Sequence, residues 1–394
     1  MALAGILGLW CAGPARDPVR PGIDVLLDDS LHLVRDARVG VLTNQTGVDR
    51  AGTDDVTRLR EAGIEVTAIF TPEHGFRGAV DVENIGHGVD SATGLPVYSL
   101  YGDVRAPTRA MLERIDVLLV DLQDIGARPY TYISTALLAM ASAAHAGVPV
   151  ILLDRPNPVG GLLVQGPTLD TTLISFIGMV PVPLRHGMTI GELARLGNDF
   201  LGLECRLTVV PVAGWARDTW FDGTGLPWIR PSPNMPDLES ASHYPGTVLF
   251  EATNLSVGRG TAVAFQVVGA PWLDAARVAR DLAGLPGVGV SDTVIVPARP
   301  ADGKYDGAAL PAVRLRVTDR EVYDPVRLAV HLVAAIRTHH PDSLRVDTLG
   351  FDRRAGTAAV RRALEAGQPP DSIAERWVAD VNRFLERRRP FLLY

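Results

Sequence analysis

From about residue 37 the chain repeats one pattern. A short β-branched apolar run leads into a polar loop marked by Gly or Pro, and then into a stretch with helical spacing. Val39 to Thr43 precedes Asn44 to Arg50 and a helix near 53–62, and Val66 to Phe70 precedes Thr71 to Gly78. Val117 to Leu122 precedes Gln123 to Tyr130 and a helix near 132–146, and Val148 to Asp154 precedes Arg155 to Gly161. Strands this uniformly apolar fit a parallel sheet whose two faces are both covered by helices. The pattern predicts an α/β fold, doubly wound. Ligands of such sheets settle beyond the carboxyl ends of the strands. Glu73, His74 and Arg77 follow one strand, Gln123, Asp124 and Arg128 a second, and Asp154, Arg155 and Asn157 a third, so these three loops are expected to converge on one cleft.

Residues 181–245 are rich in Pro, Gly and Trp and read as an ordered irregular excursion or lid. Its Trp215, Trp220, Trp228 and Tyr244 suit either stacking on sugar rings or a small local core. A second unit follows, with strands expected at 262–268 and 313–317 and helices near 273–282, 325–338, 356–366 and 372–388. The expected division is an N-terminal segment 1–21, a catalytic domain 22–240 and a smaller α/β domain 241–394 that closes the cleft. Within the first segment, the apolar run Ala2 to Gly13 reads as a signal remnant or as a floppy terminus. The signal reading favours an extracytoplasmic protein, periplasmic or secreted, over a cytoplasmic one. No other apolar run is long enough to span a membrane, so an integral membrane protein is not expected.

Charge and motifs narrow the chemistry. With 394 residues and a net charge of −7, the chain lacks the basic footprint of a nucleic-acid binder. Two cysteines, Cys11 and Cys205, allow neither a disulfide scaffold nor a thiolate cluster. No GxGxxG or P-loop follows a strand, and Gly258-Arg259-Gly260 has the wrong context. HExxH and GxSxG are also absent. No cofactor and no metal is expected. The rival is a metal-dependent cell-wall amidase or carboxypeptidase using His74, Asp81 and His87.

Carboxylate chemistry remains. Glu73 follows a buried strand between Pro72 and Gly75, where burial against Phe70 and Phe76 would raise its pKa and suit a general acid, with His74 beside it. Asp121, Asp124, Asp154 and Glu251 compete for a second role. Each also suits a structural pairing, as Asp124 with Arg128 or Asp154 with Arg155. Arg77, Arg128, Arg155, Arg185 and Arg259 offer more guanidinium groups than one carboxylate pair needs, so one is expected to hold an anionic substrate group.

The chain resembles a family, formerly of unknown function (DUF1343), whose characterised members are exo-acting β-N-acetylmuramidases. The matching blocks include Val41 to Gly47, Thr71-Pro72-Glu73-His74-Gly75-Phe76-Arg77-Gly78, Thr93 to Gly102 and Asp121 to Arg128. They continue through Tyr130-Thr131-Tyr132, Asp154-Arg155-Pro156-Asn157-Pro158, Arg185-His186-Gly187-Met188-Thr189, Pro231 to Pro236, Glu251 to Ser256 and the terminal Phe391 to Tyr394, covering roughly residues 22 to 394. The resemblance implies a Rossmann-like N-terminal domain, a smaller C-terminal domain and a site in the cleft between them. The implied activity is release of N-acetylmuramic acid from the non-reducing end of peptidoglycan fragments such as MurNAc-GlcNAc. It makes Glu73 and His74 the prime catalytic pair. The expected site adds Asp124 to the catalysts. It takes Arg77, Gln123, Arg128, Asp154, Arg155, Asn157, Arg185, His186, Asn234, Glu251, Asn254 and Arg259 as substrate contacts, with Arg77 or Arg128 on the substrate's lactyl carboxylate. A muropeptide-binding protein without catalysis is the remaining alternative.

Overall fold

The computed structural model describes residues 17–78 and 86–394. The apolar run at 2–13, Cys11 and Asp81 lie outside these. The first part of the chain forms α1 (Gly22–Asp29), β1 (Arg38–Thr43), α2 (Asp55–Glu61), β2 (Glu65–Thr71), β3 (Gly88–Val89), β4 (Pro96–Ser99), α3 (Arg109–Leu112), β5 (Val117–Asp121), α4 (Tyr132–Ala146), β6 (Val150–Leu153), β7 (Gln165–Thr168), β8 (Pro183–Arg185), α5 (Ile190–Phe200) and β9 (Leu207–Val210). The seven-stranded sheet has the order β3-β4-β2-β1-β5-β6-β9, parallel except for β3. This is the expected α/β architecture.

Alternation along the strands explains the two-sided burial. Val117 and Leu119 of β5, with Ile151 and Leu153 of β6, pack among Ile23, Leu26, Val56 and Leu59 of α1 and α2. Leu118, Val120, Val150 and Leu152 pack on the opposite face, among Ile133, Leu137 and Met140 of α4 and Leu193 of α5. Local chemistry sets the helix ends: Asp54 caps α2 through the Thr57 N–H, and Thr189 and Glu192 form a reciprocal capping box on α5. Gly147, at φ 74°, ends α4 in the left-handed conformation that glycine tolerates best.

The second part forms α6 (Leu238–Thr247), β10 (Val267–Gly269), α7 (Ala275–Asp281), β11 (Val288–Ile295), β12 (Leu310–Val317), α8 (Pro325–His339), α9 (Thr348–Ala355), α10 (Ala358–Glu365), α11 (Pro370–Glu375) and α12 (Val378–Arg388). β10, β12 and β11 make an antiparallel sheet. The strand expected at 262–268 shrinks to β10, because Gly258, Gly260 and Phe265 all take positive φ and turn the backbone away from extension. The helix expected near 372–388 divides at Arg376–Trp377 into α11 and α12. C-terminal residues reach back to the large sheet. The Tyr394 hydroxyl donates to Asp154 at 2.7 Å, and Leu393 N–H to Glu192 at 2.7 Å.

The carboxyl edge of the sheet is packed. Arg155, 5% exposed, forms an ion pair with the fully buried Asp121 and donates to the Val48 carbonyl at 2.8 Å. Asp55 adjoins them, and burial together with the charge of Asp121 pushes its pKa well up. Gln45 donates to the carbonyls of Arg230 and Pro231 at 2.8 and 3.1 Å, fastening the Pro-rich excursion over this edge. Removing Asp121 strands a buried guanidinium. Asp121→Ala should therefore cost about 3–5 kcal/mol in urea unfolding, while Asp116→Ala, which breaks the surface pair with Arg38, should leave the midpoint almost unmoved.

Candidate active site

A cavity of about 720 Å³ opens where the β2 loop and the start of α4 meet α6 and the segments around Glu251 and Arg354. Local backbone chemistry aims Glu73 into it. β2 ends at Thr71, Pro72 follows, and His74 takes a left-handed φ of 73° with Gly75 at 74°. That turn is closed by Gly75 N–H on the Pro72 carbonyl at 3.2 Å. A left-handed histidine is uncommon and costs conformational energy. Here it presents Glu73 and His74 to the same hollow. Thr131 donates its hydroxyl to Glu73 Oε2 at 2.8 Å, while Oε1 lies 3.9 Å from His74 Nε2. The Glu73 side chain is 26% exposed, so the apolar enclosure expected from Phe70 and Phe76 is replaced by a polar pocket that still meets solvent.

Aromatic rings floor the cavity from this end to the other. Tyr132 and Tyr130 meet edge to face at 4.9 Å, as do Tyr130 and Tyr244 at 5.8 Å, and Tyr244 lies tilted against Phe265 at 4.7 Å. Burial holds all three phenols protonated, helped by the charge of Glu73 at Tyr132 and of Glu251 at Tyr244. The Tyr132 hydroxyl is spent on the Pro231 carbonyl. The Tyr130 hydroxyl is buried beside Ser232 and Tyr132.

At the far end, Glu251 accepts from Arg259 Nε at 2.7 Å and from Arg259 Nη2, with Arg354 Nε 3.6 Å from its other oxygen. Lys304 donates to the carbonyls of Glu251 and Leu255 at 3.0 and 3.2 Å. Burial opposes the Glu251 charge, but the guanidinium groups outweigh it and hold the carboxyl below its usual range.

Of the residues expected at the site, Glu73, His74, Glu251 and Arg259 line this cavity. The others have structural surroundings. Asp124 accepts from Gly126 N–H at 2.6 Å and lies 3.7 Å from the buried His186. Gln123 donates to the carbonyls of Asp124 and Pro156, and Asn157 to that of Met188. Asp154 accepts from Thr189, Gly191, Arg155 N–H and Tyr394, with burial pushing its pKa up to about 6. Arg155 is held by Asp121, so the third loop stays out of the cavity: its polar groups are consumed in packing. Arg185 bonds Gln165 and the Val159 carbonyl. Arg77 is exposed, paired with Asp90 and stacked on Phe76, away from the cavity. Arg128 is 3% exposed and donates to the carbonyls of Pro167, Val182 and Arg354. Burial drops its pKa to about 9. Asn234 accepts from Gly260 N–H, and Asn254 bonds the 343–345 segment.

Tyr244 reaches the cavity, while Trp215, Trp220 and Trp228 pack against Tyr394, Arg185 and Phe221 respectively. The rival metal set is dispersed as far as it is described: His87 Nδ1 accepts from Ser99 N–H and its ring meets Tyr98. Sequence reasoning missed Arg354, which carries no motif of its own. It also gave no role to Tyr130 and Thr131, although both stood inside a matching block. A second cavity of about 540 Å³, beside Trp377, Phe384 and Arg383, contains none of the Glu73 machinery.

The model described as "Exo-beta-N-acetylmuramidase NamZ, N-terminal" matches residues 39–239, and its C-terminal counterpart matches 242–394. The chain belongs to the NamZ exo-β-N-acetylmuramidase family. Peptidoglycan beta-N-acetylmuramidase NamZ of Bacillus subtilis (strain 168) is 40% identical over 381 residues, covering 95% of this chain and 91% of that protein. Two crystal structures of DUF1343 family proteins from Bacteroides fragilis NCTC 9343 have the same fold. One has a TM-score of 0.88 at 34% identity, covering 96% of this chain and 100% of that one; the other scores 0.79 at 32%, covering 96% and 99%.

The depressed pKa of Glu251 fixes the sign of a pH effect. Its ion pairs add stability above the ordinary carboxyl range, and that stability is lost as pH falls through the lowered value. Thermal unfolding of Glu251→Gln should therefore lie below wild type at pH 7, and the gap should close towards pH 3.

Proposed function

We propose that this protein releases N-acetylmuramic acid from the non-reducing end of peptidoglycan fragments such as MurNAc-GlcNAc, with Glu73 as general acid and base. The observation that carries this reading is the Glu73 carboxyl itself. One oxygen is fixed by Thr131 and the other faces a cavity floored by tyrosines. In the first step the proton on Glu73 passes to the glycosidic oxygen as its bond to the anomeric carbon breaks. Asp124 and Asp154 are packed away from the cavity, and Glu251 is held between two guanidinium groups. This favours the substrate's own acetamido oxygen as the group that attacks the anomeric carbon. Water then opens the cyclic oxazolinium intermediate, delivering its proton to the Glu73 carboxylate.

We further place this activity outside the cytoplasm, on the strength of the apolar run at 2–13 and of a cell-wall substrate. Among the described residues no helix is long and apolar enough to cross a membrane.

Two measurements test the mechanism. Glu73→Gln should fold as wild type by circular dichroism and lose about 10³-fold or more in turnover of a chromogenic β-MurNAc glycoside; full activity would remove Glu73 from the reaction. NMR of the first sugar released should show the β-anomer, since attack by the acetamido group followed by water inverts the centre twice. Release of the α-anomer would point to direct attack by water instead.

A further inference from the structure

We infer that Arg354 is the specificity-determining residue that reads the lactyl carboxylate of N-acetylmuramic acid, and that Glu251 is a positioning residue rather than the second catalytic carboxyl. The inference rests on the muramidase reading and deepens it. N-acetylmuramic acid differs from N-acetylglucosamine by the lactyl ether alone, so an enzyme that distinguishes them must recognise that anionic group.

The end of the cavity remote from Glu73 has the matching charge. Arg259, Arg354 and Lys304 face Glu251 and Asp302, three cations against two carboxylates, and all of these except Lys304 line the cavity. One further carboxylate neutralises the group. The Arg259 fork is committed to Glu251 through Nε and Nη2. Arg354 is held more loosely, with Nε 3.6 Å from Glu251 and Nη1 donating to the Gly350 carbonyl at 3.3 Å. Its side chain is 24% exposed at the cavity wall. Arg354 therefore retains capacity for the paired N–H donation that a carboxylate favours.

The backbone beneath Arg354 is braced from the other domain. The buried Arg128 donates to the Arg354 carbonyl at 2.7 Å, where the C-terminal end of α9 favours a cation. Gly356, at φ 83°, leaves room for that guanidinium: a Cβ there would lie 2.5 Å from Arg128 Nη2. Arg128, one of the two arginines expected from the sequence to grip the lactyl group, instead fixes the height of the residue that does. Arg105 is the other cavity arginine, but it is exposed and stacked on Phe176 at 4.6 Å. Solvent screening weakens any anion contact it makes.

The test compares a chromogenic β-MurNAc glycoside with its lactyl methyl ester, which keeps the bulk and removes the charge. In wild type, kcat/KM for the acid should exceed that for the ester by about 100-fold, mostly through KM. In Arg354→Ala the ratio should fall towards one, because the acid loses far more kcat/KM than the ester. Arg354→Lys should restore part of the ratio, because the charge returns without the fork. Arg105→Ala should keep the wild-type ratio. A wild-type ratio near one, an unchanged ratio in Arg354→Ala, or its collapse in Arg105→Ala would each overturn the assignment. If wild type hydrolysed neither glycoside, the muramidase reading itself would fail.

Discussion

The guanidinium of Arg155, buried at the carboxyl edge of the sheet, ties together three loops that the chain visits at widely separated points. It pairs with Asp121 at the end of β5, bonds the Val48 carbonyl after β1, and belongs to the loop after β6. A charge in that position is tolerable only with its partner in place, so the three loops hold one geometry. The crevice where a parallel sheet of this order ordinarily takes a ligand is thereby filled. Residues 226–229 of the Pro-rich excursion close over what remains of it. The cavity that Glu73 lines is displaced towards β2, α4 and the second domain.

That displacement explains why the site needs both halves of the chain. Glu73, Thr131 and Tyr132 come from strand and helix ends of the large sheet, whereas Tyr244, Glu251, Arg259 and Arg354 come from the second unit. Their relative positions depend on contacts far from substrate. Arg128 bonds the last turn of α9, Tyr394 is fastened to Asp154, and Arg217 pairs with Glu192 beneath the C-terminal residues. The buried cations do structural service at the domain boundary, which leaves the cavity walls free to hold charges in a useful arrangement.

Much of the fold was legible. Apolar runs with two-sided burial announced the parallel strands, and α4 and α8 were evident from spacing and from the residues that end or begin them. The second unit was harder. β11, with several polar and exposed residues, is the edge strand of an antiparallel sheet and has no continuous apolar run. α9 was not anticipated because its eight residues are largely polar, and only Phe351, Asp352 and Ala355 are buried.

Sequence by itself determined the α/β class and the family and singled out Glu73 as the candidate glutamate, because alternation, strand-end position and ordered motif blocks are properties of the linear chain. Which polar residues line the cavity was decided only by tertiary structure. Arg128, Arg155 and Asp154 have the same chemistry as Arg354, Arg259 and Glu251, and nothing local separates them. The difference is the partner that packing brings to each: backbone carbonyls satisfy Arg128, Asp121 pairs with Arg155, and hydroxyl and N–H donors surround Asp154, while the others are held at the wall of a hollow.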